Sequence, residues 1–107
     1  MMTRTEKDIL ATLRRLLADR LRVVELILFG SRSRGDSTPD SDMDVAVIID
    51  GENNSTTRRA VEDCAWEAGF DAGIIVSPVV VSVEEWNDET MSESLLFRAV
   101  RAEGIVV

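Results

Sequence analysis

Leu28-Phe29-Gly30-Ser31-Arg32-Ser33-Arg34-Gly35-Asp36, followed after a short gap by Ser41-Asp42-Met43-Asp44-Val45-Ala46-Val47-Ile48-Ile49-Asp50, is the stretch from which the rest of the chain can be read. An apolar run closes on a Gly-Ser turn, a basic loop follows, and two aspartates one residue apart open a second apolar run. A glycine at a strand end lets the backbone approach a ligand closely, and the amides after it can cradle phosphate oxygens, the more so if a helix starts there. Ser31 adds a hydroxyl, and Arg32 and Arg34 add charge.

Residues i and i+2 of a strand share a face, so Asp42 and Asp44 project side by side while Met43 turns away. Neighbouring carboxylates repel one another unless a cation lies between them. Mg²⁺ takes oxygen ligands, usually one or two carboxylates plus the phosphates of a substrate, and suits this pair. An isolated Asp-x-Asp is more often a solvated turn, and Ser37, Thr38, Pro39, Asp40 and Ser41 are all turn formers. The Gly-Ser turn upstream, the strands expected on both sides and the arginines between them shift the balance toward metal-dependent phosphoryl or nucleotidyl transfer.

The same residues resemble the signature of the DNA polymerase beta-like nucleotidyltransferases, and within them the minimal nucleotidyltransferase branch. That signature is Gly-Ser, a short Arg-Gly loop, Ser-Asp-x-Asp and a hydrophobic strand, and Gly30, Ser31, Arg34, Gly35, Ser41, Asp42 and Asp44 fall on it. Ile75-Val76-Ser77-Pro78 and Arg101-Ala102-Glu103-Gly104 resemble one prokaryotic subgroup more loosely. The resemblance implies an α/β (α+β) fold: a small mixed sheet with helices packed on it, as in the polymerase beta-like palm. It also implies Mg²⁺ on Asp42 and Asp44, ATP as the nucleotide, and Gly30, Ser31, Arg34 and Ser41 at the nucleotide. Proteins of this branch are often paired with a HEPN-domain ribonuclease toxin, which they adenylylate on a tyrosine as its antitoxin.

The family typically has a third carboxylate on a later strand, and the match here is Asp71 in Phe70-Asp71-Ala72, which would join Asp42 and Asp44 as a catalytic metal ligand. Asp71 reads equally well as a turn residue after a helix stop at Gly69. In the second case the protein becomes a degenerate binding module that neutralises its partner by contact alone.

Composition sets the frame. A chain of 107 residues, 45% hydrophobic, is expected to form a single domain over residues 1–107 with one modest core. Twelve basic and twenty acidic residues give a net charge of -8, which speaks against an extended nucleic-acid surface and suits a basic partner. One cysteine and no histidine exclude a disulfide framework, a Cys/His zinc site and histidine-based acyl transfer. Cys64 reads as a small core residue. No apolar run is long enough for a membrane span, so a soluble, cytoplasmic protein is expected.

Taken in order, Ile9, Leu10, Leu13, Leu16, Leu17 and Leu21 recur at helical steps between Thr5 and Leu21. Val23 to Phe29 reads as a covered central strand. The loop arginines, Arg32 and Arg34, either bind triphosphate oxygens or pair with Asp36 or Asp40. Met43 to Ile49 is the second strand. Thr56 or Thr57 can cap a helix that Gly69 ends, and Ala72 to Val81 is a third strand whose Pro78 places it at an edge or bulge. Ser82-Val83-Glu84-Glu85 and Thr90-Met91-Ser92-Glu93 have capping-box spacing, the second before a helix that Gly104 terminates. Trp86 and Phe97 read as packing residues, and Ile105 to Val107 as a short strand.

Overall fold

In the computed structural model, which describes residues 2–107, the leucine stripe forms helix α1 (Arg4–Ala18), which ends before Leu21. Thr3 caps it: the Thr3 hydroxyl accepts from the Glu6 amide at 3.1 Å, and Glu6 Oε1 accepts from the Thr3 amide at 2.8 Å. Strands β1 (Val23–Phe29) and β2 (Met43–Ile49) have the expected limits, and a single helical turn α2 (Ser31–Arg34) lies between them. Helix α3 (Ser55–Phe70), strand β3 (Val76–Ser82), the short helix α4 (Val83–Trp86), a 3₁₀ turn (Met91–Glu93), helix α5 (Leu95–Glu103) and strand β4 (Ile105–Val106) complete the chain.

Several boundaries differ from the sequence reading, each for a local reason. Asn54 caps α3, its side-chain oxygen accepting from the Thr57 amide at 2.9 Å, so neither threonine is the cap. Gly69 does not stop α3. A Cβ there would lie 2.0 Å from the Ile74 carbonyl oxygen, so this glycine lets the chain fold back against the helix. The left-handed residue is Gly73, with φ +67°, and β3 therefore starts at Val76 rather than Ala72. The Ser82–Glu85 capping box forms as expected. The Thr90–Glu93 box does not. Thr90 donates its hydroxyl to Asp88 at 2.7 Å, and Ser94 caps α5 through the Phe97 amide at 3.0 Å.

The sheet order is β3-β2-β1-β4, with β1 antiparallel to β2 and β4, and β2 parallel to β3 across the α3 crossover. Strand β1 is internal as expected. Pro78 lies on the edge strand, where its missing donor breaks no ladder. Alternation divides β2 between two layers. Met43, Val45, Val47 and Ile49 pack with α1 and α3, against Leu10, Leu13, Leu17, Val61 and Cys64. Ala46 and Ile48 face the other side with Ile27, Phe29, Val81, Phe97 and Val100. Both faces are covered, which is why β2 reads as a nearly unbroken apolar run. Trp86 and Phe97 pack together at 5.3 Å between ring centres, as expected for packing aromatics. Among the described residues no helix is long and apolar enough to cross a membrane.

One ion pair is buried within this frame. Arg32 donates to Glu6 Oε2 at 2.9 Å, to the Ser41 carbonyl at 2.7 and 3.1 Å and to the Pro39 carbonyl at 3.3 Å. Arg32 is therefore neither a phosphate ligand nor a partner of Asp36 or Asp40. It is a bolt between α1 and the loop before β2. Burial pushes the Glu6 carboxyl pKa up, but the Thr3 amide, the hydrogen bond and charge of Arg32 and the Thr3 hydroxyl outweigh it, and the net shift is downward. A carboxyl whose folded pKa lies below its unfolded value stabilises the fold above the unfolded value and loses that contribution as pH falls through the folded one. Glu6→Ala leaves the guanidinium buried without its carboxylate, and is expected to cost about 3 kcal/mol. Thermal denaturation should show a loss of roughly 15 °C in Tm at neutral pH, narrowing in acid as the pH falls below the ordinary glutamate range and the wild-type carboxyl is protonated.

Candidate active site

Because Met43 and Val45 point toward α1 and α3, Asp44 between them lies on the other face of the sheet, with Ala46 and Ile48. In the ladder Asp44 is level with Phe29, and the turn after Phe29 closes against it. A Cβ on Gly30 would stand 2.4 Å from Asp44 Oδ2, and Gly30 has φ +78°. Glycine is thus required here both by the backbone and by the carboxylate beside it. Ser33 donates its hydroxyl to the Gly30 carbonyl at 2.8 Å and fixes the turn.

Asp42 is exposed and stands just before the strand. Burial first, and the neighbouring Asp42 charge second, push the Asp44 carboxyl above the ordinary carboxylate range. Arg34 pulls it back and Glu103 adds to the rise. A half-buried carboxylate beside a second carboxylate is stabilised by a cation, and an all-oxygen donor pair fits a hard divalent ion such as Mg²⁺. The residues present therefore suit the metal that the sequence implies.

Arg34 is exposed enough to meet a ligand. Its Nε donates to Asp36 at 3.2 Å and its Nη1 to the two Glu103 oxygens at 3.1 and 3.2 Å. Ser31 is half-buried and opens α2, its carbonyl accepting from the Gly35 and Asp36 amides. Ser41 has its hydroxyl against the Thr38 amide at 2.9 Å and its carbonyl on Arg32, so its hydrogen bonds build the loop that delivers Asp42.

Asp71 does not join the pair. It caps the C-terminus of α3, the helix on the opposite face of the sheet, and is exposed there. With Asp8, Thr12 and Glu67 it lines a cavity of about 340 Å³ between α1 and α3. Among the described residues no three acidic or cysteine side chains cluster closely enough to hold a metal ion. The position on β3 level with Asp44 is Ser77, on the face shared by Val79 and Val81. A carboxylate supplied by a later strand would stand there, and the chain has a hydroxyl instead.

Glu103 is the residue that sequence reasoning missed. Besides both contacts to Arg34, its Oε1 accepts from the Gly30 amide at 3.2 Å. The available signal was a glutamate in the last turn of a helix, where a negative charge opposes the helix dipole and needs a compensating contact.

The sequence profile of the family described as "Nucleotidyltransferase domain" matches residues 10–95. Over 48 residues the chain is 44% identical to the "Putative protein adenylyltransferase" of Methanocaldococcus jannaschii. That stretch is 45% of this chain and 47% of that protein, so the match spans about half the length of the curated relative. A crystal structure described as "a putative nucleotidyltransferase from Sulfolobus solfataricus" aligns with a TM-score of 0.49 and 17% identity, over 99% of this chain and 87% of that one.

Gly30→Ala should displace the Asp44 carboxylate and force an L-residue into left-handed backbone, the latter alone costing roughly 1–2 kcal/mol. Urea denaturation of the variant measures that loss directly.

Proposed function

The chain belongs to the nucleotidyltransferase domain family, and on that basis we propose that it transfers AMP from ATP to a hydroxyl of a partner protein. The observation that carries this reading is Asp44 on a sheet face with the charge of Asp42 acting on it, beside the Gly30–Ser31 turn and within the field of Arg34. Asp42 and Asp44 would hold Mg²⁺, which when bound offsets the charge of the phosphates. Arg34 supplies a planar guanidinium for phosphate oxygens. Gly30 keeps the space that a side chain would take from Asp44. In the transfer, the acceptor oxygen bonds to the α-phosphorus, the bond to pyrophosphate breaks and the hydroxyl proton passes to a base.

The acceptor we favour is a tyrosine of a HEPN-type toxin, which makes the protein an antitoxin. The similarity to a protein described as an adenylyltransferase supports a protein acceptor, and the net charge of -8 suits a basic partner. Trp66 and Phe70, 63% and 67% exposed on α3 with ring centres 6.1 Å apart, offer apolar surface for such a partner to cover. One observation favours a second reading, neutralisation by contact without transfer: Ser77 stands where a third carboxylate would serve, and Asp71 lies on the far face.

Incubation with labelled ATP, Mg²⁺ and a HEPN-type protein encoded beside this chain separates the two. Transfer predicts label on the partner with wild type and with Asp71→Asn, and a loss of at least about a hundredfold with Asp42→Asn plus Asp44→Asn. No label with any of the three, while the partner is still neutralised, would overturn transfer and leave the contact reading.

A further inference from the structure

We infer that the Glu103 carboxylate is a placeholder for substrate phosphate. In the nucleotide-free protein it holds the Arg34 guanidinium and the Gly30 amide, and an arriving triphosphate displaces it. The inference rests on the nucleotidyl-transfer reading of the site.

The backbone delivers Glu103 to this place. The pairing of Ile27 with Val106 and Leu28 with Ile105 brings the end of α5 beside the turn after β1, where Glu103 meets the Gly30 amide. Gly104 allows the approach, since a Cβ there would lie 2.3 Å from the Val100 carbonyl oxygen and 2.4 Å from a methyl of Ile27. The carboxylate has adverse surroundings, at the negative end of α5 and within the field of Asp44. What holds it is the pair of donors, Arg34 Nη1 at 3.1 and 3.2 Å and the Gly30 amide at 3.2 Å. Arg34 is also the donor that the proposed reaction assigns to phosphate, and Gly30 is among the residues that the resemblance sets at the nucleotide.

The exchange favours the substrate. The Arg34 and Glu103 side chains are 46% and 25% exposed, and an ion pair so open to water is weak. A guanidinium makes charge-assisted, often bidentate hydrogen bonds to phosphate as it does to carboxylate, and a triphosphate brings more negative charge to Arg34 than the single carboxylate it replaces. A carboxylate left in place would repel the polyanion, so its departure and triphosphate binding are coupled.

Calorimetric titration of the whole chain with inorganic triphosphate, which carries no base and needs no transfer, tests this. Glu103→Gln should bind on the order of tenfold more tightly than wild type, Glu103→Asp should stay near wild type and Arg34→Ala should bind far more weakly. In wild type, the Gly30 amide resonance should shift on titration, which decides the matter even if a Glu103 variant fails to fold. Unchanged or weaker binding by a folded Glu103→Gln, no binding by either chain, or a stationary Gly30 amide would overturn the inference. Transfer of label with no tightening in Glu103→Gln refutes the placeholder alone. Tightening without any transfer refutes the transfer reading alone.

Discussion

The site depends on a charge buried away from it. Arg32 lies between Glu6 on α1 and the Ser41 and Pro39 carbonyls, and those contacts fold the segment between β1 and β2 back on itself. Without that anchor, Asp42 would hang from a Ser/Thr/Pro-rich loop with many accessible conformations. Glu6 serves twice, one oxygen closing the α1 cap and the other taking the guanidinium, so the start of the first helix and the loop before β2 are held by one carboxylate. No buried side-chain nitrogen or oxygen among the described residues lacks a partner, which is the condition under which a buried ion pair is tolerated.

A second constraint is the period of the strand. Seven consecutive residues of β2 give three side chains to one layer and four to the other, and Asp44 inherits the face that parity assigns. This explains what was legible in the sequence. The alternation rule turned Asp44 away from the face of Met43, a helical turn does start at the Gly-Ser pair, and the β-branched run with Pro78, expected at an edge or a bulge, is the edge strand. Each of these follows from neighbours a few residues apart.

What was not legible depends on contacts far apart in the chain. The pairing of Glu6 with Arg32 and of Glu103 with Arg34 joins the two ends of the sequence to its middle, and no local pattern announces either. Asp71 shows the converse error. Its place between Phe70 and Ala72, at the entry of an apolar run, suited the third carboxylate, but α3 packs on the face opposite Asp44 and carries Asp71 there. Gly69 misled for a related reason. It was read as a stop, whereas its role is to admit the Ile74 carbonyl.

Charge then limits what the assembled site can do. Asp42, Asp44 and Glu103 act on one small region of a chain that is already strongly acidic, with Arg34 as the cation whose charge reaches Asp44. Burial first and that imbalance second raise Asp44, and protonation is one way to relieve the imbalance while a bound cation is another. A triphosphate brings still more negative charge, so it can enter only with a cation or in exchange for a resident carboxylate. The fold supplies for both. The aspartates stand where a cation relieves their repulsion, and Glu103 is held by weak, partly exposed contacts that can be given up.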